Sequence, residues 1–216
     1  MKALAVAAAA AALAATYFLW LVPDPAPPPE RRAGAARLMG ELMSGKHPVG
    51  GPFTLADSAG RRVSLADFRG RLVLLYFGFS RCPDVCPTDL VAIAEALRTL
   101  GDSAAQVQPV FVTLDPERDT AAMIREYAAA FHPAFVALTG SEAEVRAVAT
   151  SFKVFYEKVP TQTGGYTIDH AAFTFLLDRD GKFATLAPPG TPASRIAEML
   201  REQLATTPAP AAVGSR

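Results

Sequence analysis

The two cysteines of the chain, Cys82 and Cys86, lie four positions apart, and each is followed by a proline. A cysteine reacts as its thiolate, which either exchanges with disulfides or binds soft metal ions. An apolar run from Leu72 to Phe79 precedes the pair, and a helical pattern begins at Pro87. The thiols therefore fall between a buried strand and a helix N-terminus, which favours a thiolate over a thiol. The pair is a candidate redox or metal site.

The spacing of the cysteines favours a metal site over a catalyst of thiol-disulfide exchange. Three residues separate them, whereas such catalysts typically have two. A residue before proline avoids helical backbone, so we predict a type I turn over residues 82–85. Pro87 is then expected at the first helical position, with Cys86 as the N-cap. A structural disulfide or two unreactive thiols is the alternative, although a bridge across so short a loop would contribute little stability.

The elements that must position the thiols follow an alternating order of strands and helices. This order predicts an α/β fold, namely a thioredoxin-like mixed sheet flanked by helices, with an extra N-terminal β-hairpin. The predicted elements are a hairpin over 53–65, a strand 71–79, a helix 87–100, a strand 107–114, a helix capped by Asp119 or Thr120 and ending at 131, a strand 135–138, a helix from a Ser141/Glu144 capping box to 152, a hairpin over 154–168, strands 172–177 and 182–186, and a helix 192–204.

The metal that the thiols could bind depends on how many further ligands the chain supplies. Two thiolates select copper(I), zinc or an iron–sulfur cluster. Structural zinc sites and iron–sulfur clusters usually use four protein ligands, and the chain has no third cysteine. Copper(I) needs fewer ligands, so two sulfurs and one imidazole would suffice.

Three histidines are candidates for the additional ligand. We expect His47, in a linker, to be solvated, and His132, at a helix end, to stabilise the helix dipole. His170 opens the strand predicted over 172–177, and in a thioredoxin-like sheet this strand begins beside the thiol loop. We therefore predict that His170 is the third ligand.

Two aspartates are candidates for residues next to these ligands. Asp169 can orient the ring of His170 or balance charge, or it is an ordinary turn residue. Asp84 lies between the two cysteines. Neither a proline directly before the strand at 172–177 nor a tryptophan beside Cys82 is present, and both absences argue against general disulfide exchange.

The ends of the chain differ in composition from its middle. Residues 3–22 carry no charge, and about 20 apolar residues are what a helix needs to cross a bilayer. We predict an uncleaved signal-anchor helix over 1–22, with a cleaved signal peptide as the alternative. A proline-rich linker and spacer should follow over 23–50, the globular domain over 51–204, and a disordered tail over 205–216.

The charge balance excludes one class of partner. Lysine plus arginine equals aspartate plus glutamate at 21 each, so the net charge is zero. A nucleic-acid-binding protein usually has a basic excess, and we therefore expect no nucleic-acid partner. Two cysteines also exclude a framework of several disulfides, so an ordinary hydrophobic core must stabilise the domain.

Three segments resemble, in the same order, the Sco/SenC family. They are Gly-Phe-Ser-Arg-Cys-Pro-Asp-Val-Cys-Pro-Thr at 78–88, Thr-Leu-Asp-Pro-Glu-Arg-Asp-Thr at 113–120, and the stretch 168–182 that begins Ile-Asp-His. The resemblance covers about residues 50–204. Family members are membrane-anchored copper chaperones of cytochrome c oxidase assembly with a thioredoxin-like domain. The resemblance implies that Cys82, Cys86 and His170 bind one copper ion per domain, as Cu(I) or Cu(II).

The resemblance also implies a function and a location. The expected function is a copper metallochaperone, rather than an enzyme, that delivers copper to the dinuclear site of cytochrome c oxidase subunit II. Other copper chaperones or thiol reductants are further expected partners. The alternative is a thiol-disulfide reductase that prepares the subunit II cysteines, with Cys82 and Cys86 as its redox-active pair. The expected location is the inner membrane, with a single N-terminal span and the domain in the periplasm. In residues 115–119 we expect only a turn and a helix cap.

Overall fold

A computed structural model gives the structure of residues 48–162 and 164–206. The predicted signal-anchor helix, the linker up to His47 and the tail beyond Thr206 lie outside these described residues. Within the described ranges, none of the helices combines the length and the apolar character that a membrane crossing requires.

The described part of the chain alternates between strands and helices in the predicted order. Two short 3-10 helices, Leu65–Phe68 and Gly101–Gln106, accompany them. The strands are β1 Thr54–Ala56, β2 Arg62–Ser64, β3 Leu72–Gly78, β4 Val107–Thr113, β5 Val136–Leu138, β6 Tyr156–Pro160, β7 Tyr166–His170, β8 Thr174–Leu177 and β9 Phe183–Ala187. The α-helices are α1 Val85–Leu100, α2 Ala121–Phe131, α3 Glu142–Ser151 and α4 Ala193–Thr206.

Five strands form a mixed sheet in the order β5-β4-β3-β8-β9. The central strand β3 pairs in parallel with β4 and antiparallel with β8. The β1–β2 hairpin and the β6–β7 hairpin each form a separate two-stranded sheet. The predicted thioredoxin-like mixed sheet, its flanking helices and the extra N-terminal hairpin are therefore confirmed.

The apolar runs of the sequence become the centre of the sheet. Every residue of β3 and β4 is buried, as expected for strands covered on both faces. Behind them, the ring of Phe77 lies 5.6 Å from that of Phe152 and 6.0 Å from that of Phe175, measured between centroids. The carboxyl end of β3, where the cysteines follow, thus rests on a packed aromatic core.

Two helix ends differ from the predictions. Helix α1 begins at Val85 with Asp84 as its N-cap, so Cys86 and Pro87 both lie inside its first turn. Proline is tolerated throughout this turn, because the N–H it lacks has no partner within the helix. Helix α4 continues to Thr206, so the first two residues of the predicted tail are helical. The caps predicted at Thr120 and at Ser141 with Glu144 are confirmed.

Candidate metal centre

The loop that carries Cys82, residues 79–84, is called the thiol loop below. It follows Gly78, a glycine that leaves space for a sulfur. A Cβ atom at Gly78 would lie 3.0 Å from Cys86 Sγ and 2.9 Å from a ring carbon of Tyr76. After this residue, Cys82 N donates a hydrogen bond to Phe79 O. The hydrogen-bonded turn therefore covers residues 79–82 and not the predicted 82–85. It returns Cys82 toward the first turn of α1, where Cys86 N donates to Cys82 Sγ over 3.4 Å.

His170 is the last residue of β7, where it pairs with Tyr156. It therefore ends the second hairpin, whereas the sequence had suggested that it opens the strand that is β8. Side chains alternate between the two faces of a strand, and the face of β7 that carries Ile168 and His170 is the one turned toward the domain, since Ile168 is buried. The exposed Asp169 lies on the opposite face.

Among the described residues, neither predicted aspartate makes a hydrogen bond to the ligands through its carboxylate. His170 Nδ1 is buried and has no hydrogen-bond partner among the described residues, so the orienting contact expected from Asp169 is absent. Asp84 is exposed, and its side chain makes no capping hydrogen bond to α1. Its backbone N–H helps to lower the pKa of the Cys82 thiol.

The three predicted ligands lie together. Cys82 Sγ, Cys86 Sγ and a ring nitrogen of His170 are all within 4.8 Å of one another. Cys86 Sγ is 3.4 Å from His170 Nε2, and both thiols are free. Cys86 is fully buried, whereas Cys82 and His170 are partly exposed. This set of two sulfurs and one imidazole, open to solvent on one side, could hold a soft metal ion.

The two thiols share one proton in the absence of a metal. The hydrogen bond from Cys86, helped by contacts from His170 and nearby backbone N–H groups, outweighs partial burial and lowers the pKa of Cys82 to about 4. The Cys86 thiol, which donates that hydrogen bond and is buried, has a strongly raised pKa. At neutral pH, Cys82 is therefore the thiolate and Cys86 the thiol, and a bound metal would displace the remaining proton.

His132 lies outside this cluster, as predicted. It caps the C-terminal end of α2, and its Nδ1 accepts a hydrogen bond from Ala134 N over 3.2 Å. Burial lowers the pKa of its imidazole. His132 therefore caps α2 through its backbone N–H, which donates to Ala128 O, while its ring accepts from the following loop and does not supply the positive charge expected to stabilise the helix dipole. His47 lies beyond the described residues.

Sequence reasoning missed a buried polar pair beneath the thiols. Tyr76 OH donates to Asp89 Oδ2 over 3.3 Å, and Asp89 Oδ1 accepts from Gly190 N over 2.8 Å. Burial raises the pKa of both side chains. The sequence signal that could have revealed this pair is Asp89, a carboxylate next to Leu90 on the apolar face of α1.

Sequence reasoning also missed the partner of Asp119. This residue was a candidate cap for α2, but Thr120 is the cap. The Asp119 carboxylate instead accepts hydrogen bonds from Ser80 N over 2.9 Å and from Ser80 Oγ over 2.5 Å. It therefore anchors the thiol loop two residues before Cys82.

Comparisons with known proteins identify relatives of this chain. The SCO1/SenC family model matches residues 42–205. An SCO2-like protein of Rickettsia prowazekii is 42% identical over 144 residues, which make up 66% of this chain and 70% of the relative.

Two solved structures share the fold over most of the domain. The structure of Bradyrhizobium japonicum ScoI with copper bound has a TM-score of 0.67 and 42% identity, and the match covers 72% of this chain and 99% of that one. BsSco, described as having a disulfide switch and as a member of the Sco family of cytochrome c oxidase assembly proteins, has a TM-score of 0.57 and 25% identity over 73% of this chain and 94% of its own. Since the family model spans most of the sequence and includes all three clustered side chains, the chain belongs to the SCO1/SenC family.

Proposed function

We propose that this protein is a copper metallochaperone that binds one copper ion through Cys82, Cys86 and His170. The observation that carries the proposal is the meeting of these three ligand atoms within 4.8 Å. Two thiolates and an imidazole suit copper(I), and the imidazole also suits copper(II). The copper-bound structure of a family member with 42% identity supports the same assignment.

The different exposure of the ligands supports transfer by ligand exchange. Cys82 is partly exposed and carries the thiolate, so an incoming ligand can replace it first. Cys86 is fully buried in the first turn of α1, so it is the sulfur that releases copper last. His170 reaches the site from a separate hairpin, and its release does not require movement of the sheet. Loading displaces the proton of Cys86 into solvent.

Oxidation of the thiol pair would prevent loading. If each thiol loses one proton and one electron, the sulfurs join in a disulfide and neither remains a thiolate ligand. Both cysteines are free in the structure. In an oxidising compartment the protein would therefore need a thiol reductant to remain able to bind copper.

We further propose that the recipient is the dinuclear copper site of cytochrome c oxidase subunit II. The description of BsSco as belonging to a family of oxidase assembly proteins supports this partner. Residues 1–22 would anchor the chain in the inner membrane through a single span and 23–50 would serve as a spacer. Residues 51–204 would then bind copper in the periplasm, where other copper chaperones or reductants would supply metal and electrons.

Copper analysis of the reduced full-length protein tests the metal site. We expect one copper per chain in the wild type. Cys82→Ser should abolish binding because it removes a thiolate, and His170→Ala should weaken binding and change the spectrum of the Cu(II) form. Asp84→Asn is the matched control, since the exposed Asp84 carboxylate makes no capping hydrogen bond and the substitution leaves the backbone unchanged. Undiminished copper binding in both ligand variants would refute the proposal.

A thiol-disulfide reductase that prepares the subunit II cysteines is the second candidate. The low pKa of the partly exposed Cys82 favours it, because a thiolate beside a second thiol is suited to attack a disulfide. The two functions differ in their need for His170. If His170→Ala supports oxidase assembly while Cys86→Ser abolishes it, the reductase is favoured. Loss of assembly in both variants favours copper delivery.

A further inference from the structure

Residues 115–119 contact the two elements that carry the metal ligands, namely the thiol loop and the β6–β7 hairpin. The sequence predicted only a turn and a cap here, yet two of its carboxylates, Asp115 and Asp119, are almost fully buried. Buried carboxylates are rare unless they are paired with specific partners. One of them binds the thiol loop, and the other binds the hairpin that carries His170.

The contact with the hairpin centres on Tyr166, at the start of β7. Its hydroxyl lies 2.9 Å from Asp115 Oδ1, and its ring lies under the Arg118 guanidinium at 3.7 Å from the centroid. Arg118 also donates to the Tyr166 backbone carbonyl over 2.6 Å and forms an ion pair with Asp115. Tyr166 and His170 lie on the same face of β7 because four positions separate them. A displacement of Tyr166 would therefore also displace the imidazole.

The contact with the thiol loop centres on Asp119. Besides the two hydrogen bonds from Ser80, its carboxylate accepts one from Thr113 Oγ1 over 2.7 Å. Thr113 is the last residue of β4, and β4 pairs with β3, from which the loop emerges. The loop before Cys82 is thus fixed to the sheet by a charged acceptor with three donors.

Among the described residues, the hairpin has few other contacts with the domain: Arg146 lies over the Tyr156 ring at 5.2 Å, and the Phe79 and His170 rings meet edge to face at 6.0 Å between centroids. In the part of the chain that the structure describes, strands β6 and β7 pair with each other and with no further strand, and within β7 only Ile168 is buried. A two-stranded sheet is marginally stable by itself. The polar contacts with residues 115–119 therefore carry a large share of the free energy that keeps the hairpin against the domain.

We infer that the segment Asp115–Asp119 is a positioning brace that sets the distance between the imidazole of His170 and the two sulfurs. Asp115 and Arg118 fix the hairpin, while Asp119 fixes the loop four positions along the same segment. This inference rests on the proposed function as far as copper is concerned. Its structural content, the docking of the hairpin by Tyr166, holds for the metal-free protein as well.

A pair of matched substitutions on the hairpin tests the brace. Tyr166→Phe removes one hydroxyl and keeps the ring that stacks on Arg118. Tyr156→Phe is the control, because Tyr156 is paired directly with His170 but its hydroxyl has no hydrogen-bond partner among the described residues. Both variants lose the same atom from the same hairpin. They differ because the Tyr166 hydroxyl bonds two carboxylates of the segment 115–119, the buried Asp115 at 2.9 Å and the exposed Glu117 at 3.2 Å.

The first measurement is hydrogen exchange of the metal-free full-length protein. In Tyr166→Phe, we expect the amides of β6 and β7 to exchange about tenfold faster, since a hydrogen bond to a charged group changes an equilibrium constant by at least that order. The amides of β3 should not change. Tyr156→Phe should match the wild type throughout.

The second measurement is the thiolate-to-copper charge-transfer spectrum and the electron paramagnetic resonance spectrum after addition of copper(II) sulfate. The spectra of Tyr166→Phe should move toward those of His170→Ala, while those of Tyr156→Phe should remain as in the wild type. Equal effects of the two tyrosine variants, or none, would refute the brace. If the wild type binds no copper, the proposed function fails, and hydrogen exchange alone still decides whether the brace exists.

Discussion

The two halves of the metal site are held in different ways. The cysteines follow β3, a central strand in which all seven residues are buried and which pairs on both edges. His170 ends β7, which pairs on one edge and has one buried residue, Ile168. The sulfurs are therefore attached to the main core, whereas the imidazole is attached to a half-exposed hairpin.

This difference separates the ligands by the free energy needed to move them. Displacing the loop from β3 would disturb the five-stranded sheet, while displacing β7 requires only the loss of local contacts. A site built in this way keeps its two sulfurs fixed and allows the third ligand to leave. That property suits a protein that must bind copper and then release it.

The largest difference should appear in the free energy of unfolding when an apolar side chain is removed from β3 or from the β6–β7 hairpin. Phe77→Ala deletes a fully buried ring packed against Phe152 and Phe175, and should lower the free energy of unfolding by about 3–5 kcal/mol. The control, Phe155→Ala, removes a ring that is 62% exposed just before β6 and should change it by less than about 0.5 kcal/mol. Urea unfolding measures both. Similar losses in the two variants would contradict the comparison.

The pKa of Cys82 should also depend more on Cys86, which is attached to the main sheet, than on His170, which is attached to the hairpin. Because its pKa is lowered to about 4, alkylation of the wild type should remain constant from neutral pH downward and fall only near that value. Cys86→Ala removes the largest cause and should raise the midpoint toward about 8.5, the value of an ordinary cysteine. His170→Ala removes a smaller cause and should raise it less.

The pH dependence of alkylation by iodoacetamide, followed by mass spectrometry, measures these midpoints. The unfolded protein is the control, because both thiols should then titrate as ordinary cysteines. A larger shift in His170→Ala than in Cys86→Ala would place the dominant interaction on the hairpin and reverse the comparison.

The sequence was sufficient where local pattern determines structure. The apolar runs predicted β3 and β4, and the cysteine spacing, together with the family resemblance, identified Cys82, Cys86 and His170 as neighbours. The predictions failed where a shift of one or two residues in the end of a strand changes which side chains face the site. Strand β7 continues to His170, and this turns Asp169 away from the imidazole because side chains alternate.

Contacts between distant segments were beyond what the sequence pattern could supply. Tyr166 and Asp115 are separated by 51 positions, and Ser80 and Asp119 by 39. Local propensity explains Asp115 as a turn residue and Asp119 as a possible cap, and both explanations are satisfied without any partner. Only the packing of the hairpin and loop against the sheet shows which donors these carboxylates bind.

A smaller effect is expected from weakening the anchor of the thiol loop. Asp119→Asn keeps the shape of the side chain but replaces one acceptor oxygen by a donor facing Ser80 or Thr113. We expect a loss of about 2 kcal/mol in the free energy of unfolding, and faster alkylation of Cys82 as the loop loosens. Asp102→Asn, at an exposed position, is the control. An unchanged urea midpoint in Asp119→Asn would show that the loop is held without this carboxylate.

The smallest effect should come from the exposed ion pair of the hairpin. Lys158 Nζ lies 2.7 Å from Glu117 Oε1, and this contact lowers the pKa of the Glu117 carboxyl. A lowered carboxyl pKa stabilises the folded state above the ordinary pKa, and the contribution disappears as the pH falls through the lowered value. Because both side chains are exposed, salt screens the pair. Lys158→Gln should therefore leave the urea midpoint unchanged within error at neutral pH, and hydrogen exchange in β6 and β7 should change less than in Tyr166→Phe. An effect as large as that of Tyr166→Phe would show that the exposed pair, rather than the buried Asp115 carboxylate, holds the hairpin.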